Sequence, residues 1–143
     1  MKKSSPLVLK VGGGEVDDSG FLQALAAAVA SMSRPPVIVH GGGKEIGSWL
    51  KVLGQEARFH QGLRITDGRA MAVVEMVLSG AVNKRLVGVL VAAGVRALGL
   101  SGRDLGLVRA RKLEAEVDLG HVGEPEAVQT EVLTRLVGMG MVP

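Results

Sequence analysis

Cysteine and tyrosine are missing from this 143-residue sequence, and its only aromatic residues are Trp49, Phe21 and Phe59. Without cysteine there can be no disulfide, no thiolate metal site and no sulfur nucleophile. With so few rings, the core has to be built from Val, Leu, Ile and Ala. Apolar residues make up 47% of the chain, which argues against disorder, and the length suffices for one domain with a substantial core. Long hydrophobic runs are also lacking. After the basic opening Met1–Pro6 the apolar run covers only Leu7–Leu9, too short for a signal peptide, and nothing approaches the roughly 20 apolar residues of a membrane span. A cytoplasmic location without a membrane partner is the expectation. The net charge of +3 is dispersed, with neither the basic stripe nor the stacking aromatics of a nucleic-acid reader. It suits a small anionic ligand instead.

What the sequence has in excess is glycine: 21 residues, gathered in clusters. Apolar runs that can be buried strands alternate with segments of helical period. Leu7–Val11 stops at Gly12-Gly13-Gly14; Asp17, Asp18 and Ser19 offer helix caps, and Phe21, Leu22, Leu25, Ala26 and Val29 keep helical spacing. Val37-Ile38-Val39 is a β-branched strand ending at His40-Gly41-Gly42-Gly43, after which Ile46, Trp49, Leu50 and Leu53 mark a helix closed by Gly54. Phe59–Ile65 reads as extended. A long helix then runs from a cap at Thr66 or Asp67 to about Ala93, apolar on more than one face and stopped at Gly94. Val95–Leu100 reads as a strand, Leu105–Val122 as a hairpin turning near Gly120, and Thr130–Val137 as a helix. This order predicts an open, mostly parallel α/β sheet flanked by helices. Met139–Pro143 reads as the lead-in to a further strand, so the chain is expected to stop within its fold.

In such sheets ligands bind at the carboxyl ends of strands, and both glycine clusters fall there. Glycine loops leading into helices can aim backbone N–H groups at an anion where a Cβ would block approach. Neither cluster is a standard nucleotide motif. Gly43-Lys44 is followed by Glu45 rather than Ser or Thr, so it is not a Walker A loop. The dinucleotide fingerprint fails at Asp17 and at Ile46, where a third glycine is required. His40-Gly41-Gly42-Gly43 has the form of an esterase oxyanion loop, and Gly99-Leu100-Ser101-Gly102-Arg103 is nearly a nucleophile elbow. That match fails at Arg103, and the acid and histidine that would have to follow it, Asp118 and His121, lie in the predicted hairpin.

Leu9-Lys10-Val11-Gly12-Gly13 and Val37 to Ile46 together resemble the amino acid kinase superfamily. Gly62-Leu63-Arg64-Ile65-Thr66-Asp67, Val73 through Lys84, Leu98 through Asp104 and Asp118 through Gly123 narrow the likeness to N-acetylglutamate kinases, over essentially the whole chain. The resemblance implies a carbamate kinase-like fold and transfer of the γ-phosphoryl group of ATP, with Mg2+ carried by the nucleotide, to the side-chain carboxylate of N-acetyl-L-glutamate in arginine biosynthesis. It implies that Lys10 neutralises charge at the transferring group, that Gly12 and Gly13 face the ATP phosphates, and that Gly42 and Gly43 donate N–H bonds to the reacting groups. Arg64 is implied as the partner of the substrate α-carboxylate. His40 is expected to bond backbone near its loop, and Glu75 and Lys84 to be solvated or interfacial. The long helix from 67 to 93 is expected to form a homodimer, and the hairpin around Gly120–Gly123 a lid over the acyl-amino acid.

Members of that family are nearly twice this length, and their carboxyl-terminal half supplies most of the nucleotide pocket. Residues 1–143 are therefore expected to be the acyl-amino-acid-binding and dimerisation domain, without the ATP-binding domain and with little activity alone. A binding module without catalysis, or a kinase for a carrier-linked aminoadipate, are the alternatives the resemblance leaves.

Overall fold

The computed structural model describes residues 7–143. At its centre β1 (Val8–Val11) and β2 (Val37–His40) pair in parallel, with Val8 opposite Val37 and Val11 opposite His40. Parallel neighbours need a crossover, which α1 (Ser19–Ala30) provides. Its start is fixed by Asp18, whose carboxylate accepts the Phe21 N–H at 3.0 Å and so satisfies one of the free amides of the first turn. Side chains alternate across the strands. Val11 is buried, whereas Val8, Lys10 and Val39 stand exposed on the opposite sheet face.

Beyond β2 the sheet continues through the last residues. The Ile38 N–H donates to the Pro143 carbonyl at 2.9 Å, and Val142 forms a parallel bridge with Ala97. The strand expected over Val95–Leu100 is thus reduced to one bridge. Gly99 lies against the Asn83 side chain and the Leu100 carbonyl turns toward its amide, which takes the backbone out of the ladder after Leu98.

The core is aliphatic, as the composition requires. Leu22, Ala26 and Val29 of α1 pack with Leu86 and Leu90 of α4 (Asn83–Ala92) against Leu9 and Ile38. A second cluster joins Val11 and Val16 to Ile46 and Leu50 of α2 (Gly43–Val52) and to Ala70 and Val73 of α3 (Gly68–Glu75). All three aromatic residues are exposed. The long helix forms as expected, capped by Asp67, which accepts the Ala70 N–H at 2.8 Å. It is not uniform, however: Met76–Val82 between α3 and α4 is a π-helix. A π turn holds extra residues relative to an α turn, so the apolar stripe rotates partway along. That is why Val73 and Val77 face one cluster while Leu86 and Leu90 face the other.

Two hairpins differ from expectation. The extended reading of Phe59–Ile65 gives way to β3 (Phe59–His60) and β4 (Leu63–Arg64), folded back around Gln61 and Gly62, whose φ values of 48° and 81° are those of a type I′ turn. The larger hairpin pairs β5 (Val108–Lys112) with β6 (Gly123–Val128), so its second arm lies beyond Val122 and Gly120 is not its turn. Gly120 docks on the start of the long helix. Leu119 is 1% exposed, its carbonyl accepts the Thr66 N–H at 2.9 Å, and the His121 N–H donates to the Thr66 carbonyl at 2.6 Å. The chain closes with α5 (Thr130–Gly138).

Gly120 has φ of +69°, and a Cβ there would overlap the Thr66 carbonyl. Gly120→Ala is expected to cost roughly 1–3 kcal/mol in urea unfolding. Gly138→Ala, at a helical position with open space around it, should show no loss.

Candidate active site

Gly12–Gly14 and Gly41–Gly43 end adjacent parallel strands, and the Gly41 N–H donates to the Val11 carbonyl at 2.9 Å. The two loops lie backbone against backbone. A Cβ on Gly13 would stand 3.1 Å from the Gly42 nitrogen, and one on Gly41 would stand 3.2 Å from the Gly13 nitrogen. Gly42 is pressed from its other side by the π-helix, since a Cβ there would come within 2.7 Å of Leu78 Cδ2. Gly43, which opens α2, has open space. No side chain caps α2, so the first-turn amides are left for a ligand or solvent, at the positive end of the helix dipole.

Arg64 is brought to this helix start from the β3–β4 hairpin. Its Nη2 donates to the Gly43 carbonyl at 3.2 Å, and its guanidinium lies over the Phe59 ring, 4.7 Å from the centroid. Its Nη1 is buried and has no hydrogen-bond partner. A buried donor without an acceptor is costly, and here it belongs to a cation beside free amides. Such an arrangement is completed by a carboxylate or phosphate.

Of the residues singled out in the sequence, Gly12, Gly13, Gly42, Gly43 and Arg64 thus form one continuous region. Lys10 stands two positions before the first loop. It is exposed and pairs in register with Val39, on the sheet face turned away from α1 and α4. Glu75 is paired with Arg103 at 2.8 Å. Beyond the start of α3, an open cleft of about 870 Å³ separates the helix from the large hairpin, lined by Asp67, Met71, Arg111, Lys112 and His121 among others. Asp118 on its rim is held below the ordinary carboxylate range, chiefly by its hydrogen bond with Lys112 and then by the Gly120 N–H.

Arg85 escaped the sequence reading. Its Nη1 donates to the Val16 carbonyl at 3.1 Å and contacts Asp17 at 3.3 Å, while Nη2 meets both Glu45 oxygens at 2.9 and 2.8 Å. One guanidinium therefore ties the turn after the first glycine loop to the helix that follows the second. Its pKa is raised further, mainly by the Glu45 hydrogen bond, with burial opposing. The only available signal was a cation one position past a motif already noted.

A model described as the amino acid kinase family matches residues 5–143. The chain belongs to the amino acid kinase family. Curated relatives named acetylglutamate kinase include that of Roseiflexus sp. (strain RS-1), 52% identical over 96% of this chain and 53% of the relative. That of Chloroflexus aurantiacus (strain J-10-fl) is 47% identical over 95% of this chain and 54% of its own length. The chain thus spans about half the length of the curated relatives it matches. Among solved structures, smu.665 from Streptococcus mutans superposes with a TM-score of 0.80 at 26% identity, over 96% of this chain and 56% of that one. An N-acetylglutamate synthase from Neisseria gonorrhoeae reaches 0.76 at 22% identity, over 96% of this chain and 32% of that one, a likeness of fold alone. The expected amino acid kinase fold, with its parallel strands and flanking helices, is borne out.

The loop contact predicts an asymmetry among the glycines. Gly13→Ala must force backbone apart and is expected to lose about 1–3 kcal/mol in thermal or urea unfolding. Gly43→Ala should unfold like the unaltered protein.

Proposed function

We propose that residues 1–143 are the acyl-amino-acid-binding and dimerisation part of a cytoplasmic kinase that phosphorylates the side-chain carboxylate of N-acetyl-L-glutamate, a step of arginine biosynthesis. The observation that carries this reading is Arg64. A guanidinium with one buried, unpartnered nitrogen, fixed to the Gly43 carbonyl beside an uncapped helix start, is built to accept an anion. The likeness to the acetylglutamate kinases of Roseiflexus and Chloroflexus supports an acylated acidic amino acid as that anion.

Arg64 would meet the α-carboxylate, its planar fork suiting two parallel hydrogen bonds. The substrate's other carboxylate would then reach toward Gly42 and Gly43, whose amides stabilise negative charge as it redistributes. That carboxylate is ionised at neutral pH, so no general base is required. ATP would supply the phosphoryl group, with Mg2+ carried on its phosphates. The first loop is proposed for that role: Gly12 and Gly13, half-buried at a strand end, would face the phosphates, and Lys10 adds a compact cation two positions earlier. In phosphoryl transfer such positioning and charge neutralisation supply most of the catalysis. Among the described residues no group of three or more His, Asp or Glu side chains is placed to hold a metal ion.

The helix over 67–93 is proposed as the homodimer contact. Met76 is 59% exposed and stands with Trp49 and Leu53 around a small apolar hollow on the outer side of α2 and the π-helix. The β5–β6 hairpin is proposed as a lid on the acyl-amino-acid side. Among the described residues no helix is long and apolar enough to cross a membrane.

Calorimetric titration with N-acetyl-L-glutamate tests the reading. The unaltered protein should bind it, and Arg64→Ala should weaken binding by about 10- to 100-fold, the weight of a charged hydrogen-bonded contact, with little change in melting temperature. Absence of binding by the unaltered protein would overturn it. Equal loss of stability and affinity in the variant would make Arg64 structural.

A further inference from the structure

Asn83 is one of only two buried polar side chains among the described residues, at 7% exposed, and it lies where the π-helix gives way to α4. Three groups surround its amide. Lys84 Nζ donates to Oδ1 at 3.0 Å; Nδ2 lies 3.2 Å from His40 Nε2 and 3.5 Å from the Leu100 carbonyl. The other nitrogen of His40, Nδ1, lies 3.0 Å from the Gly41 carbonyl. The backbone makes room for this amide at Gly99, where a Cβ would overlap Asn83 Oδ1.

The donors in this chain can be assigned without seeing a proton. A lysine ammonium only donates and a carbonyl only accepts. Oδ1 must therefore face Lys84, and Nδ2 must face both Leu100 and His40. The bond from Nδ2 requires a bare lone pair on His40 Nε2. The Gly41 carbonyl requires a proton on Nδ1. Turning the amide over would set Nδ2 against the Lys84 ammonium and Oδ1 against the Leu100 carbonyl, two conflicts at once. The His40 tautomer that satisfies both contacts carries its proton on Nδ1 and leaves Nε2 bare.

We infer that Asn83 is a positioning residue for the second glycine loop, acting through the His40 tautomer to orient the peptide between Gly41 and Gly42. In a planar trans peptide the carbonyl and the following N–H point in opposite directions. Drawing the Gly41 carbonyl toward His40 therefore aims the Gly42 N–H away from it, which matters because Gly42 is one of the proposed ligand donors. The Lys84 charge on Oδ1 polarises the amide and strengthens the Nδ2 donor. With the other His40 tautomer, a nitrogen lone pair would face the carbonyl oxygen and release the peptide. The inference rests on the functional reading only for what the oriented amide binds.

The test uses the intact gene product. Two-bond 1H–15N correlation spectra, with His40 identified by its loss in His40→Gln, should show Nδ1 protonated and Nε2 bare near neutral pH without any ligand. Asn83→Asp places a carboxylate against Nε2, so His40 should become doubly protonated while still donating from Nδ1. Its affinity for N-acetyl-L-glutamate should stay within about twofold of the unaltered protein, even if its melting temperature falls. Asn83→Leu removes the constraint, and affinity should fall by about five- to tenfold, the weight of one hydrogen bond. A bare Nδ1 or a doubly protonated ring in the unaltered protein would overturn the inference. So would affinities of the two variants that simply follow their melting temperatures. If the unaltered protein does not bind acetylglutamate, the functional reading fails, while the ligand-free tautomer still decides for or against the role of Asn83.

Discussion

Between the first and second glycine loops there is room for backbone and nothing else. Val11 and His40 end neighbouring parallel strands in register, and the loops that leave them run into contact at Gly13, Gly41 and Gly42. Most of the site's geometry depends on that closeness. It lets the N-terminus of α2 rise beside the first loop, it places Gly42 where Leu78 and Val82 of the π-helix can press on it, and it leaves Gly43 facing open space. Side chains then fasten what the glycines permit. Arg85 bridges the Val16 carbonyl to Glu45, and Arg64 reaches the Gly43 carbonyl from a separate hairpin. Two flexible, glycine-rich turns would otherwise sample many conformations. Held this way, they present amides whose ordering cost is met before a ligand arrives.

Arg64 is fixed by the fold and yet keeps one nitrogen unpartnered. Stacking on Phe59 and the bond to Gly43 hold the guanidinium in place, but its Nη1 remains without an acceptor. Arg85, by contrast, meets two carboxylates, those of Asp17 and Glu45. The two guanidiniums thus differ in the partners the fold gives them, and the difference is visible only once partners are counted.

The elements governed by local chemistry were legible in the sequence. Asp18 and Asp67 cap α1 and the long helix as their positions suggested, Gly54 and Gly94 follow the ends of α2 and α4 with φ of 69° and 81°, and the β-branched Val37–Val39 run forms a strand. The glycine clusters and Arg64 could be singled out because backbone access and a planar cation leave a mark in residue type. Features set by distant contacts could not be read. The turn near Gly120 was misplaced because Thr66, far away in the chain, dictates its conformation. Val95–Leu100 has a strand's composition, yet Asn83 pulls its end aside. Arg85 looked like any surface cation on a helix, since its three partners come from segments forty or more positions away. The π-helix left no trace beyond an apolar stripe that was too broad.

That π-helix fixes a phase relation between the two ends of one long helix. α3 is set by its cap at Asp67 and its packing on α2, and α4 by its packing on α1. An α-helix turns by about 100° per residue, so shortening Met76–Val82 by a single residue would swing Asn83, Lys84 and Arg85 to another side altogether. Asn83 would then lose His40, and Arg85 would lose the Val16 carbonyl and Glu45. Spacing across this segment is therefore constrained independently of composition. A change in its length would separate α4 from the contacts it makes beside the loops, whatever residues fill the segment.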